Sequence, residues 1–115
     1  MATRSKRRPS PRKAAPMSSA SMHENADAAI AVLKALASHN RLLLLCELLQ
    51  GERNVGELAQ SLGLTQTVVS QHLSLLRRDG VVAGRRDAQS IHYRISDERV
   101  RVLMGTLFEQ FCADA

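Results

Sequence analysis

Small polar side chains recur on one face of a helix predicted over residues 65–78. Four of them, Thr67, Ser70, Gln71 and Ser74, follow helical spacing, and Arg78 continues the same face. This face has no acidic residue, whereas an ordinary solvated helix face mixes glutamate with lysine. Hydroxyl and amide groups can hydrogen-bond base edges and phosphates in a DNA major groove. The pattern predicts a DNA-reading helix that begins at Thr65 and Gln66, with a plain surface helix as the alternative.

A basic hairpin is predicted directly after this helix. An extended run over 81–86 and period-two alternation over 91–95 predict two strands, joined by a short polar turn at 87–89. The hairpin residues predicted to contact DNA are Arg85, Arg86 and Gln89. Because an arginine fork donates hydrogen bonds in pairs and fits narrow minor grooves, we expect the hairpin to reach phosphates or the minor groove.

The chain has two cysteines, and both lie on apolar helix faces. Cys46 belongs to the stripe of the predicted second helix, and Cys112 extends the stripe of the predicted last helix. A thiolate can attack an oxidant or a sulfur donor, so the pair is a candidate redox switch. Two buried cysteines acting as small hydrophobic residues would give the same pattern. The residues alone leave both interpretations open.

The four histidines do not suggest a metal site. They are His23, His39, His72 and His92. None has a histidine or cysteine at ligand spacing, and His72 lies on an apolar stripe, which favours a packed side chain. We therefore predict no metal ligand, no cofactor and no catalytic residue.

A mainly α-helical fold must position these groups. Apolar residues at helical spacing predict four helices, then the hairpin, then a last helix, in the order α-α-α-α-β-β-α. The third and fourth helices join across residues 62–65, where Gly63 allows a turn and Thr65 can cap the next helix. Together with the hairpin, this pattern is typical of a winged helix-turn-helix.

The 115 residues predict one folded domain, residues 23–115, behind a basic tail, residues 1–22. The tail holds all three prolines and six basic residues against no acidic one, so we predict that it is disordered. It is either an arm on DNA phosphates, a solvated extension or an over-long gene start. The chain has no signal peptide and no apolar run near the ~20 residues of a membrane span, so we expect a cytoplasmic protein without membrane contact.

Several motifs resemble the arsenical-resistance-repressor (ArsR) family of bacterial winged-helix regulators. The resemblance covers residues 25–113 and rests on Ala37-Ser38-His39 with Arg41, Val55-Gly56-Glu57-Leu58, Val69-Ser70-Gln71-His72-Leu73, and Tyr93-Arg94-Ile95. It implies a homodimer whose first and last helices form the interface. It also implies binding to double-stranded operator DNA, which is released when an inducer is sensed.

The metal-binding positions of that family are not matched. Its thiolate site would need cysteines within residues 52–58, and there are none. Its zinc site on the last helix would use Asp97, but Arg99 stands where a histidine is expected and no histidine follows His92.

The cysteines instead resemble those of the family's persulfide- and sulfide-responsive dithiol repressors, of the biofilm-growth-associated repressor type. That branch implies that Cys46 and Cys112 of one subunit become bridged by a disulfide or polysulfide. The inducer would be a reactive sulfur species or an oxidant, and operator DNA would be released. Because Cys112 lies near a chain end, we expect it to react first.

Three alternatives remain open at this stage. One is a metal- or metalloid-responsive repressor of the same family. Another is a small thiol oxidoreductase, which the absence of a C-x-x-C motif and of a strand-first α/β pattern disfavours. The third is a protein-interaction module without DNA recognition, which the acid-free face of the fourth helix disfavours. The preferred interpretation is a regulator without enzymatic activity; its operator, its target genes and the sign of its regulation are not specified by the sequence.

Overall fold

The computed structural model describes residues 19–112. The elements are α1 (Ser19–Leu36), α2 (His39–Leu49), β1 (Arg53–Asn54), α3 (Val55–Leu62), α4 (Gln66–Arg78), β2 (Val82–Asp87), β3 (Ser90–Ile95) and α5 (Glu98–Phe111). The chain divides into two compact units, one ending at Ile30 and the other beginning at Ala31. The five helices and the hairpin follow the predicted order, which confirms the winged-helix fold class.

Side-chain caps fix where the central helices begin. Asn54 and Glu57 form a reciprocal capping box at the start of α3, with both hydrogen bonds 2.8 Å long. The Thr65 hydroxyl accepts a 3.2 Å bond from the Val68 amide at the start of α4. Between them, Gly63 ends α3 in the left-handed region at φ 67°, where a side chain would be strained. The predicted turn between α3 and α4 is thereby confirmed.

The core of the second unit draws side chains from the end of α1, from α2, α3, α4 and α5, and from the sheet. Those with almost no exposure are Leu44, Leu45, Leu48, Leu58, Val69, Leu73, Leu76, Ile95, Val100 and Met104. Three of them lie on one face of α4, and burying that face leaves the opposite face of α4 in solvent. Packing against the core therefore leaves one defined side of α4 free to bind a ligand.

The sheet has three antiparallel strands in the order β1-β3-β2. The β2–β3 register runs from Val82 opposite Ile95 to Asp87 opposite Ser90, so only Ala88 and Gln89 form the turn. The sequence analysis put Asp87 in the turn and did not predict β1. A two-residue strand has no alternation to detect, and the left-handed backbone of Ala88 (φ 58°) tightens the turn by one residue.

Helix α1 begins within the stretch that the sequence predicted to be disordered. That prediction is wrong for residues 19–22, because the helix-breaking prolines all lie before residue 17 and Ser19 starts a continuous helix. The rest of the tail lies outside the described residues, so its disorder stays a prediction. Among residues 19–112 no single helix is long and apolar enough to cross a membrane, although α1 and α2 taken together pass by length and composition.

Candidate nucleic-acid interface and dithiol site

The solvent face of α4 is a neutral, hydrogen-bonding surface. An open groove of about 340 Å³ lies along it, lined by Gln66, Thr67, Ser70, Gln71 and Ser74. Each of these side chains is exposed and none carries a charge. The groove thus offers hydroxyl and amide groups in a row, which is the chemistry that reads base edges.

Charged and capping groups stand at the two ends of this face. Thr65 is exposed, and its oxygen already accepts the Val68 amide, which leaves its hydroxyl proton free to donate. Arg78 is exposed, and its Nε lies 3.4 Å from an oxygen of the neighbouring Asp79. The α4 face is therefore neutral along its length and positive only at its C-terminal end.

The two arginines of the hairpin differ in their direction and in their side-chain contacts. Arg85, Arg86 and Gln89 are all exposed. Because Arg85 and Arg86 are consecutive on β2, they point to opposite faces of the hairpin. Arg85 Nε donates a 2.9 Å hydrogen bond to Glu52 Oε1, whereas the Arg86 side chain makes no hydrogen bond or ion pair within residues 19–112. The sequence analysis missed Glu52, since 33 residues separate it from its partner and no local spacing marks the pair.

The glycine in β2 is needed for close packing of the hairpin. Gly84 lies opposite Tyr93, and a Cβ there would come within 2.7 Å of Ile91 Cγ2 and 3.2 Å of Tyr93 Cε1. The apolar side chains of β3 therefore cover the backbone of β2 directly. This contact fixes the course of the strand that carries both hairpin arginines.

The two cysteines line one cavity. Cys46 is half-buried on α2, and Cys112 is exposed directly after α5; both are free thiols. The cavity measures about 270 Å³, and its other walls are Leu42, Met104, Leu107, Phe108 and Phe111. The structure thus places at one cavity two cysteines that the spacing of the sequence could not relate.

The environment of Cys46 disfavours its thiolate. Burial raises the pKa of the Cys46 thiol, and the nearby groups Cys112 and Glu47 raise it further. A group that must be a thiolate to attack is therefore held largely as the neutral thiol at Cys46. The exposed Cys112 is the more accessible sulfur for a first reaction.

No metal-binding cluster of three or more histidine, cysteine or acidic residues is present in the part of the chain that the structure describes. Asp97 is occupied otherwise: it caps α5, and its carboxylate accepts bonds from Arg99 Nε at 3.2 Å and Arg99 Nη2 at 3.0 Å. The Arg99 hydrogen bonds hold the pKa of Asp97 below its usual value.

Comparison with known proteins gives consistent matches. Residues 38–83 match the family described as bacterial regulatory protein, arsR family. The transcriptional activator HlyU of Vibrio cholerae is 43% identical over 100 residues, which are 87% of this chain and 93% of HlyU. The structure of reduced HlyU from the same organism has a TM-score of 0.77 with 42% identity, covering 80% of this chain and 97% of that one.

Two further solved structures extend the likeness. The transcriptional repressor BigR from Xylella fastidiosa has a TM-score of 0.78 and 38% identity, covering 84% of this chain and 98% of BigR. A homodimeric winged helix-turn-helix DNA-binding domain from Mycobacterium bovis has a TM-score of 0.67 and 36% identity, covering 92% and 88%. The match extends over most of the length of both solved chains.

Proposed function

The chain belongs to the bacterial ArsR family of transcriptional regulators, and we propose that it is a homodimeric repressor whose operator is released when Cys46 and Cys112 become bridged. The observation that carries this proposal is an apolar cavity that both cysteines line. That cavity lies between α2 and α5, and none of its walls belongs to α4 or to the hairpin. Sensing and DNA reading are therefore assigned to different residues of one domain.

The DNA-binding half of the proposal rests on α4 and the hairpin. In the proposed complex, α4 lies in the major groove with Gln66, Thr67, Ser70, Gln71 and Ser74 toward the bases. Thr65 and Arg78 flank them, while Arg85, Arg86 and Gln89 contact phosphates or the minor groove. The exposure of all ten side chains supports this assignment. Because DNA is the partner, we propose that the protein acts in the cytoplasm.

The homodimer is proposed on two supports. The similar domain from Mycobacterium bovis is homodimeric. In addition, large apolar side chains stay exposed on α1 and α5, including Leu33, Val102 and Phe111. Pairing of two copies through these helices would set two α4 helices on half-sites about one DNA turn, ~10 bp, apart.

The proposed switch reaction is balanced in atoms and electrons. The Cys112 thiolate attacks the outer sulfur of an organic persulfide RSSH, which gives Cys112–S–SH and expels the thiolate RS⁻. The Cys46 thiolate then attacks Cys112 Sγ, which forms the Cys46–Cys112 disulfide and expels HS⁻. The two thiols are oxidised and the transferred sulfur is reduced to sulfide. A second persulfide molecule adds one sulfur atom and gives a trisulfide instead.

A bridge of this kind would connect α2 to the end of α5. Because α5 belongs to the proposed dimer interface, moving its end changes the distance between the two α4 helices. A displacement of a few ångströms misaligns both with their half-sites. The α4 face itself stays unchanged, so the switch acts on the spacing of the two reading helices and not on their side chains.

Mass spectrometry of the reduced protein tests the proposed switch. After treatment with an organic persulfide, we expect a peptide pair that joins Cys46 and Cys112 directly or through added sulfur. Treatment with hydrogen peroxide in parallel distinguishes reactive sulfur from a general oxidant as inducer. Two unmodified thiols after persulfide treatment would contradict the switch. Release of DNA on addition of metal, reversed by a chelator, would favour the metal-responsive alternative, and catalytic turnover of persulfide would favour an oxidoreductase.

A further inference from the structure

Glu52 and Arg85 form the one side-chain ion pair that connects the hairpin to the start of the helix-turn-helix in the described part of the chain. Arg85 Nε lies 2.9 Å from Glu52 Oε1, and the two side chains are 52% and 33% exposed. Glu52 directly precedes β1, which pairs with one edge of β3, while Arg85 lies on β2 at the other edge. The ion pair therefore spans β3.

The geometry of the hydrogen bond leaves most of the guanidinium available. Only Nε of Arg85 is engaged, so the four N–H groups on its two Nη atoms make no hydrogen bond within residues 19–112. The Nη edge of a guanidinium is the edge that binds a phosphate through two parallel hydrogen bonds. A carboxylate on Nε fixes the plane of the group while that edge stays free.

We infer that Glu52 is a positioning residue for DNA binding: it orients the Arg85 guanidinium toward a backbone phosphate. The inference rests on the proposed function, since Arg85 is there a DNA contact. The expected effect of Glu52 on DNA affinity is favourable, which is unusual, because an acidic residue close to DNA ordinarily weakens binding by repelling phosphates. If Glu52 only repelled phosphates or competed for Arg85, its removal would tighten binding. If it orients Arg85, its removal weakens binding.

Arg86 provides the internal contrast. It is the next residue on the same strand and is exposed, but its side chain has no hydrogen-bond or ion-pair partner within residues 19–112. Its side chain is therefore unrestrained, and ordering it on DNA carries the full entropy loss of a long side chain. The Arg85 side chain is already partly ordered by Glu52, so it loses less conformational entropy when it binds DNA. Loss of Glu52 should affect the contribution of Arg85 and leave that of Arg86 unchanged.

A double-mutant cycle on the full-length reduced protein tests this inference. The probe is a duplex of about 30 bp, long enough for two half-sites, selected by the parent protein from a random pool. Glu52→Ala, Arg85→Ala and the double variant are compared by dissociation constant and by salt dependence. Glu24→Gln, which removes an exposed carboxylate on α1, measures the effect of charge alone. Circular dichroism confirms that each variant is folded.

We expect Glu52→Ala to weaken binding roughly two- to fivefold, as suits an exposed ion pair, and to lower the salt slope by about one phosphate contact. In the Arg85→Ala background it should have no effect. Glu52→Gln keeps an oxygen that accepts the Nε–H, so it should bind at least as tightly as the parent.

Three results would overturn the inference. The first is tighter binding of Glu52→Ala, matching Glu24→Gln. The second is equal weakening with and without Arg85, which would indicate a general structural effect. The third is unchanged binding of Arg85→Ala, which would leave no contact to orient. Failure of the proposed function is recognised separately, because the parent would then select no sequence from the pool, and the inference would fail with it.

Discussion

Cys46 and Cys112 line the same apolar cavity, one from the middle of α2 and the other from the residue that follows α5. The two thiols differ in their surroundings: Cys46 is half-buried and Cys112 is exposed. This asymmetry gives the proposed switch an order of events. In this proposed order, the exposed Cys112 meets the inducer first, and the half-buried Cys46 then closes the bridge.

Glu47 contributes to the raised pKa of Cys46, so replacing Glu47 should change the rate at which Cys46 is alkylated. Replacing Glu47 with glutamine removes one of the causes of the shift, so the thiolate fraction of Cys46 at neutral pH should increase. Alkylation of Cys46, followed by peptide mass spectrometry, should become faster by less than about tenfold, which is the effect of one full pKa unit. Glu24→Gln serves as the distant control. A slower reaction in Glu47→Gln would contradict the electrostatic account of this site.

The same shift gives a sign for stability against pH. Since folding raises the pKa of Cys46, its contribution to the free energy of unfolding is complete below the ordinary thiol pKa. It is lost as the pH rises through the raised value. The Cys46→Ser variant should lack this alkaline decrease.

Substitution of Gln71 or Ser70 by alanine should impair DNA binding without unfolding the protein. Both side chains line the open groove of α4 and are exposed. Each lost base contact should weaken specific binding by about 1–3 kcal/mol. Thermal unfolding measures the fold, and titration of the selected duplex against a scrambled one measures specificity. Unchanged affinity in both folded variants would argue against the proposed orientation of α4.

Gly84→Ala should disturb the hairpin and leave the helices intact. The added Cβ would lie 2.7 Å from Ile91 Cγ2, so β2 or the Ile91 side chain must shift. Overpacking of this kind destabilises by about 1–3 kcal/mol. Binding to the selected duplex should weaken in parallel, because the strand also carries Arg85 and Arg86. Gly105→Ala, where an added Cβ meets nothing within 4 Å, is the matched control. Equal melting temperatures and affinities of the two variants would disprove the packing argument.

Removal of the basic tail should preserve sequence selectivity. Deleting residues 1–18 removes six basic residues and leaves α1 whole. If the tail contacts phosphates, the slope of log K against log salt should become shallower by a few units. An unchanged slope would show that the tail makes no phosphate contact. Loss of selectivity would reveal a minor-groove arm that the sequence interpretation undervalued.

Local signals predicted the fold well. Thr65 and Gly63 mark the turn between α3 and α4 by their own chemistry, a capping oxygen and a left-handed backbone. The solvent face of α4 followed from the spacing of its apolar residues, such as Val69 and Leu73. The sequence did not predict β1, which is only two residues long. It also made the hairpin turn one residue too long, because the turn depends on the left-handed backbone of Ala88.

The functional geometry was less accessible from sequence. Helical stripes placed Cys46 and Cys112 on apolar faces, yet no spacing rule relates residues on helices that meet only in the folded domain. Their proposed pairing is implied by the family resemblance, and the cavity that both cysteines line supports it. The Glu52–Arg85 ion pair was missed for the same reason, because it depends on the order of strands in the sheet.

The most direct test of the account is DNA release by the two single-cysteine variants. Reduced parent, Cys46→Ser and Cys112→Ser are each bound to the selected duplex and titrated with an organic persulfide, with fluorescence anisotropy as the readout. Neither cysteine belongs to α4 or the hairpin, so all three should bind equally when reduced. We predict that the parent releases the duplex and that both variants retain it, because a bridge needs both sulfur atoms. Release from either variant as complete as from the parent would contradict the dithiol switch.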